Sequence, residues 1–148
     1  LSPRARMVYG YDPSPGMAQV FMEKCEAYSA GNVRFVTADE MRDDRYDAII
    51  SSMVLHHVRD VGVEIAGLKQ LLAPRGRFYW IDLDEDDGAF HAAEPDFNGH
   101  NGFKRYDVFG ILKDCGFREM SIRTVFKGEK MVSSGPHAYS LFMAIAGT

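Results

Sequence analysis

Acidic and hydroxyl-bearing residues recur where the predicted strands of this 148-residue chain end. They are Asp12, Asp39, the pair Ser51-Ser52, and Asp82. In an open parallel sheet, ligands bind beyond the carboxyl ends of the strands, so these side chains are the first candidates for a binding site. Asp12 could accept hydrogen bonds from both hydroxyls of a ribose. It could equally well only end its strand and begin the turn Pro13-Ser14-Pro15, and both interpretations stay open.

Imidazole and carboxylate groups that follow the same strand ends could move protons. The candidates are His56, His57, Asp82, Asp84 and His91. Histidine titrates in the useful pH range, although His56 and His57 also suit a structural role in the turn after a strand. The acidic cluster Asp84 to Asp87 is either a solvated loop or part of a site. Its spacing is not diagnostic of oxygen ligands to a cation, and we predict no metal site.

Alternating strands and helices must position these residues. Strands are predicted over residues 7–12, 33–37, 46–52, 77–83, 120–126 and 139–146. Helices are predicted from Pro15 to the breaker at residues 30–32, over residues 61–72 and over residues 106–115. Ser14 and Asp60 are placed to cap the first two helices, and Gly116 to stop the third. A polar turn is expected at Arg42–Arg45, a turn at residues 73–76 and a long loop at residues 89–104.

This order predicts an α/β fold with a mostly parallel sheet and an antiparallel hairpin at its C-terminal edge. The apolar run in Tyr46–Ser52 suits a strand that is covered on both faces. The length fits a single domain over residues 1–148.

Composition narrows the classes of partner. The net charge is −4 and no basic stripe is present, which argues against a nucleic acid partner. No apolar stretch approaches the roughly 20 residues that span a bilayer, and the N-terminus lacks the features of a signal peptide. Cys25 and Cys115 show no metal or redox spacing and are expected to be buried, reduced thiols. We therefore expect a cytoplasmic protein, with a homodimer as an open alternative.

Four segments in this order resemble the motifs of class I S-adenosylmethionine-dependent methyltransferases. They are Tyr9–Met17, Asn32–Asp39, Tyr46–Val58 and Leu71–Phe78. They are similar to the family's second, third and fourth strands and to the L-K-P-G-G turn before its fifth, where Arg75 replaces the first glycine. The segment Asp82–His91 further resembles a bacterial subgroup of small methyltransferases. The resemblance implies a Rossmann-like three-layer sandwich that uses S-adenosylmethionine and releases S-adenosylhomocysteine.

The resemblance also implies roles for individual residues. Asp12 would bind the ribose hydroxyls, with Pro13 and Met17 lining the adenine; Asp39 would accept from the adenine amino group, with Ala38 and Glu40 beside it. Ser51 and Ser52 would lie along the methionine portion, and His57 near the sulfonium. The candidates for catalysis are His57, Asp84 and His91. The loop at residues 89–104 is predicted to form a lid over a small-molecule methyl acceptor.

One family motif has no counterpart in this sequence. The first strand of the family ends in a glycine-rich loop that holds the methionine half of the cofactor, whereas Gly10, Gly16 and Gly31 are isolated. The chain is therefore expected to be a partial domain, with its central strand supplied from upstream. The alternative is a non-catalytic methyltransferase-like subunit. A nicotinamide-dependent dehydrogenase is disfavoured, because no Tyr-x-x-x-Lys pair is present.

Overall fold

The computed structural model describes residues 2–42 and 45–148, which form two compact units within residues 1–44 and 45–148. Asp43 and Asp44, in the middle of the predicted polar turn, lie outside the described residues. The single domain over residues 1–148 stays a prediction.

The first unit is a βαβ arrangement followed by a short helix. It consists of a 3₁₀ turn at Ser2–Arg4, strand β1 at Val8–Gly10, helix α1 at Pro15–Ala27, strand β2 at Val33–Phe35 and helix α2 at Ala38–Arg42. Strands β1 and β2 are parallel, with Val8 opposite Val33. Helix α1 begins as predicted, because the Ser14 Oγ accepts a hydrogen bond from the Met17 N–H and Pro15 takes the first helical position.

Gly10 allows α1 to pack against β1. A Cβ atom at this position would lie 2.3 Å from the ring of Phe21, which in turn packs edge-on against Phe35 at 5.7 Å between centroids. Only a residue without a side chain fits under that ring.

The second unit is a four-stranded sheet with two helices. Its strands are β3 at Tyr46–Ser52, β4 at Leu72–Leu83, β5 at Met120–Val132 and β6 at Gly135–Gly147, in the order β3-β4-β6-β5. Its helices are α3 at Val61–Gln70 and α4 at Arg105–Asp114, and 3₁₀ turns lie at Leu55–His57 and Ala89–His91. The β3–β4 pair is parallel, and β6 runs antiparallel to both β4 and β5. The predicted α/β class, with an antiparallel C-terminal hairpin, is confirmed.

The hydrophobic core of this unit lies between the two helices and one face of the sheet. Alternate residues of β4 and β6, such as Phe78, Trp80 and Phe142, point to that face and are almost fully buried. Val61 and Ile65 of α3 and Val108 and Leu112 of α4 pack against them. Phe109 of α4 is 39% exposed, because its neighbour Val108 takes the inward position.

Several element boundaries differ from the prediction. Strand β4 begins at Leu72, and the predicted turn at residues 73–76 is an irregularity inside it, where the pairing with β3 shifts register. Strands β5 and β6 continue through the predicted linker as a long hairpin that turns at Ser133-Ser134, because cross-strand pairing overrides the low strand propensity of Gly128 and Pro136. Residues 38–42, predicted as a strand end and turn, form the short helix α2.

Strand β3 is not covered on both faces as predicted. It is the edge strand of its four-stranded sheet, and Ile50 is 40% exposed. A continuous apolar run cannot show whether both faces of a strand are covered, because the packing of other elements over the sheet is a tertiary property.

Two further observations concern the whole chain. Cys25 and Cys115 are free thiols, each partly rather than fully buried. Within residues 2–42 and 45–148, no helix is both long and apolar enough to cross a membrane.

Candidate active site

The carboxyl ends of β3 and β4 lie at the same edge of the sheet of the second unit, because the two strands are parallel. Ser51 at the end of β3 is buried and Ser52 is exposed. The chain then turns sharply through Met53, whose φ is 56° and whose N–H bonds the Ile81 carbonyl at 2.9 Å. This turn brings Leu55–His57 next to the end of β4.

Asp82 at the end of β4 is completely buried and ties this turn to the sheet. Its carboxylate accepts hydrogen bonds from His56 Nδ1 at 2.5 Å and from the backbone N–H of Leu83 at 2.9 Å. It also accepts from the His56 backbone N–H and from the Trp80 indole, each at 3.3 Å. A carboxylate that is so fully used orients its partners rather than taking a substrate proton. In a neutral imidazole that donates from Nδ1, Nε2 is an acceptor.

Three imidazoles meet beside this carboxylate. The ring of His56 lies 4.1 Å from that of His57 and 5.2 Å from that of His91, between centroids. His91 comes from the 3₁₀ turn in the long loop and stacks on Phe97 at 3.7 Å with nearly parallel planes. Burial lowers the pKa of both His57 and His91 below 6.5, and the neighbouring imidazoles lower each pKa further. The structure therefore brings the predicted candidates His57 and His91 together.

Asp84, the third predicted catalytic residue, has a different set of partners. Its carboxylate receives two hydrogen bonds from the guanidinium of Arg105, at 2.7 and 2.8 Å, and one from the Ser140 hydroxyl at 2.6 Å. Burial alone would raise the pKa of Asp84, but the hydrogen bonds from Arg105 and Ser140 outweigh it and hold the pKa below its usual value. This arrangement joins β4 to α4 and β6.

The rest of the acidic cluster is also more ordered than a solvated loop. The Asp86 carboxylate contacts His137 Nε2 at 2.5 Å and accepts from the backbone N–H groups of Gly88 and Phe90. Asp86 is therefore part of the scaffold that joins the long loop to β6, and the solvated-loop alternative is wrong for both Asp84 and Asp86.

The long loop is attached to the second unit at both ends. Phe103 is 8% exposed and packs against Trp80, so it belongs to the core. The backbone N–H of His100 donates a hydrogen bond to the His56 carbonyl oxygen at 2.7 Å. A Cβ atom at Gly99 would lie 2.1 Å from the same oxygen. Phe90 and Phe97, by contrast, lie beside the three imidazoles and contact His91. The opening and closing of a lid stays a prediction.

The first unit carries the predicted adenosine-binding residues. Asp12 and the segment Ala38–Glu40 follow β1 and β2, whose carboxyl ends lie at one edge because the strands are parallel. The Asp12 Oδ1 accepts a hydrogen bond from the Ser14 N–H at 2.8 Å, which is the turn-forming role that the sequence left open. Pro13 is exposed, and Met17 is 53% exposed.

Glu40 has a structural role at the start of α2. Its carboxylate accepts from the Thr37 N–H at 2.8 Å, while its own N–H donates to the Thr37 hydroxyl at 3.3 Å. This reciprocal pair is a capping box, and the motif Thr-x-x-Glu in the sequence could have revealed it. The hydrogen bonds from Thr37 lower the pKa of Glu40, and Arg34 contributes to the same effect. The side chain of Glu40 is thus engaged within its own unit.

Sequence reasoning missed the pairing of His56 with Asp82 and the pairing of Asp84 with Arg105. The first had a usable signal, because an Asp that ends one strand and a His that follows its parallel neighbour must lie at the same edge. The second had none, since Arg105 follows a loop whose path the sequence does not fix.

Comparisons with known proteins place this architecture in a class. The chain is similar over 96% of its length to the phosphoethanolamine N-methyltransferase 2 of Haemonchus contortus, solved with S-adenosyl-L-methionine, with 12% identity, a TM-score of 0.71 and 43% of that chain covered. It is similar over 99% of its length to the YcgJ protein of Bacillus subtilis, with 15% identity, a TM-score of 0.71 and 83% of that chain covered. The fold is therefore that of the Rossmann-like class I S-adenosylmethionine-dependent methyltransferases.

Sequence comparison gives the family itself. The family described as "Methyltransferase domain" matches residues 1–118. An uncharacterised methyltransferase of Schizosaccharomyces pombe is 27% identical over 143 residues, which is 88% of this chain and 48% of that protein. The chain belongs to the methyltransferase domain family, and it spans about half the length of this curated relative.

Proposed function

We propose that the protein transfers a methyl group from S-adenosylmethionine to a small-molecule acceptor. Membership of the methyltransferase domain family supports methyl transfer. The observation that carries the cofactor assignment is Asp12, which follows β1 at the edge where Ala38–Glu40 follows the parallel strand β2. This is the position where dinucleotide-binding folds hold a ribose with a carboxylate.

Asp12 can serve the turn and the ribose together. Its Oδ1 is used by the Ser14 N–H, while its Oδ2 accepts no hydrogen bond from the described part of the chain. A carboxylate has about four acceptor positions on its two oxygens, so one turn bond leaves capacity for the ribose hydroxyls. Pro13, Met17, Ala38 and Asp39 would complete the adenosine contacts, and Ser51, Ser52 and His57 would contact the methionine portion, as the family resemblance implies. We exclude the Glu40 carboxylate from this set because the capping box uses it.

Methyl transfer from a sulfonium is an in-line displacement on a carbon that is already activated. The protein must align the acceptor and exclude water, and it needs a general base only if the acceptor loses a proton. His57 is the candidate for that base, because it is exposed and lies next to His56, whose orientation is fixed by Asp82. Asp84 is better placed to hold the scaffold through Arg105.

The residues near the three imidazoles support the proposal that the acceptor is a small molecule. Phe90 and Phe97 lie beside His91, and aromatic side chains with a few polar groups are typical of small-molecule pockets. The solved relative from Haemonchus contortus is named for phosphoethanolamine, which is itself a small polar amine.

Calorimetric titration of the full-length protein with S-adenosylhomocysteine tests the cofactor site. The variant Asp12→Asn keeps an oxygen for the Ser14 N–H but removes the charge, and we expect it to fold normally and to bind about 10- to 100-fold more weakly. Asp12→Ala should lose both affinity and some stability. Asp114→Asn, an exposed position in the second unit, is the control and should bind like the unchanged protein.

Two outcomes would contradict the proposal. If Asp12→Asn and the unchanged protein bind S-adenosylhomocysteine with equal affinity, Asp12 is not part of the ribose site. A complete lack of binding to the full-length protein would show that S-adenosylmethionine is not its cofactor. The acceptor class is tested separately by measuring S-adenosylhomocysteine release with pooled small metabolites, with protein and with nucleic acid; release only with a macromolecule would overturn the small-molecule assignment.

A further inference from the structure

We propose that His56, His57 and His91 form a binding site for a divalent transition-metal ion of the zinc class. One ring nitrogen of each histidine lies within 4.8 Å of those of the other two. All three belong to the second unit, and they come from two separate segments, the turn after β3 and the 3₁₀ turn of the long loop. The proposed role of His57 beside the cofactor or as a base involves one ring only and does not account for the convergence of all three.

Asp82 holds the His56 ring in an orientation that suits metal binding. The carboxylate holds Nδ1 at 2.5 Å, which leaves Nε2 with its lone pair directed away from Asp82. Metal-bound histidines almost always donate their second ring N–H to a carboxylate, a backbone carbonyl or water, and this bond fixes the orientation of the ring and makes the ligand more basic. Both residues are almost completely buried, so this pair is rigid.

His91 supplies an independent indication of a ligand. The residue is 5% exposed, and its Nδ1 is the only buried side-chain nitrogen or oxygen among the described residues that has no hydrogen-bond partner. A buried, unsatisfied ring nitrogen is costly and rare, so each one requires an explanation. The ring cannot turn away easily, since it is stacked on Phe97 at 3.7 Å. A metal ion would satisfy this nitrogen.

The geometry is that of an open site. Zinc–nitrogen bonds of about 2.0–2.1 Å place tetrahedral ligands about 3.3 Å apart, so the three nitrogens need to close by only about 1.5 Å. His57 is exposed and has room to turn toward the other two rings. Three protein ligands and one exposed side leave the fourth position to water or to a bound molecule, as in catalytic rather than structural zinc sites.

The ligand set selects the class of metal. Three imidazoles without a coordinating carboxylate suit zinc, nickel, cobalt or copper, whereas magnesium and calcium prefer oxygen ligands. A second group, formed by Asp86, Asp87 and His137, could also be considered. There the Asp86 carboxylate is already bonded to His137 and to two backbone N–H groups, and no orphaned buried atom points to a ligand.

Metal titration of the chelator-treated protein tests the proposal. We expect one zinc ion per chain by calorimetry, and with cobalt we expect the visible absorption of a tetrahedral complex. His56→Ala, His57→Ala and His91→Phe should each abolish this binding; His91→Phe keeps a ring that can stack on Phe97. Asp82→Asn should bind about 10- to 100-fold more weakly, because it removes the supporting carboxylate. His137→Ala and His100→Gln are the matched controls and should bind like the unchanged protein.

The proposal also has a measurement that needs no variant. On addition of zinc, the ring-nitrogen NMR signals of His56, His57 and His91 should shift, while those of His100 and His137 should not. Shifts confined to His137, a lack of stoichiometric binding, or full binding by His91→Phe would each overturn the site.

Discussion

Asp82 and Asp84 lie two positions apart at the end of β4. They have different structural roles because different elements surround them. Asp82 is enclosed by the core and holds an imidazole, an indole and two backbone N–H groups. Asp84 is at the rim, where Arg105 and Ser140 hold it. An aspartate side chain thus orients His56 at position 82 and links separate elements at position 84.

The charge of Asp84 should stabilise the fold in a pH-dependent way. Its folded pKa lies below the usual 3.8, so its contribution is complete above about pH 4 and is lost as the pH falls through the folded value. Asp84→Asn should cost about 1–2 kcal/mol of unfolding free energy at neutral pH, because two charge-assisted bonds to a partly exposed Arg105 are lost. Denaturant unfolding of both proteins between neutral pH and pH 2 measures this.

The variant and the unchanged protein should become similar in stability at the acid end. Glu129→Gln removes one exposed carboxylate from β5 and controls for net charge. A stability gap that stays constant over the whole pH range would show that the charge of Asp84 is not what matters.

At the scale of elements, the most informative feature is the irregular start of β4. The two-residue step from Tyr46 to Ala48 in β3 faces the five-residue step from Leu72 to Arg77 in β4. Arg75 has a φ of 65°, which is in the left-handed region where a side chain is strained. The family motif that this segment resembles has glycine there.

Arg75→Gly should stabilise the protein by about 0.5–1 kcal/mol. Relief of the left-handed strain is worth about 1–2 kcal/mol, and the greater freedom of glycine in the unfolded chain offsets part of it. Thermal and denaturant unfolding measure the change, and the Arg75 side chain is exposed. A lower unfolding free energy for Arg75→Gly would show that the left-handed backbone at Arg75 does not destabilise the protein.

The neighbouring glycine is the matched opposite case. A Cβ at Gly76 would lie 2.8 Å from the Ala73 carbonyl oxygen, so Gly76→Ala should destabilise by about 1–3 kcal/mol. Unchanged stability of Gly76→Ala would show that this turn has room for a side chain at residue 76.

At the scale of the whole molecule, the two units are built differently. Among the described residues, Val36 is the one fully buried hydrophobic residue of the first unit, whereas the second unit has a continuous core. The long loop shares in that core through Phe103, which contacts Trp80 and Phe142. The position of His91 therefore depends on the packing of the second unit as a whole.

Phe142→Ala should destabilise the protein by about 3–5 kcal/mol. The side chain is fully buried between Trp80 and Phe103, and its removal leaves a cavity. Guanidinium unfolding gives the change in free energy. Tyr106→Ala is the control, because Tyr106 is 86% exposed and its loss should cost no more than about 0.5 kcal/mol. Similar costs for the two variants would contradict the described core.

The sequence by itself determined the order of strands and helices apart from the short helix α2, the caps at Ser14 and Asp60, and the set of polar residues at strand ends. These features depend on local periodicity and on side-chain-to-backbone bonds over two to four residues, which a single sequence records. The tertiary structure alone decided which of those polar residues meet. His56 bonds Asp82 across 26 residues of chain, and Arg105 bonds Asp84 across 21.

The convergence of His91 with His56 and His57 also needed the fold. The path of a long loop is set by a few distant anchors, here Phe103 in the core and the backbone bond from His100 to His56. The exposure of β3 and the full length of the β5–β6 hairpin were decided in the same way, because they depend on which strands lie side by side rather than on what each strand contains.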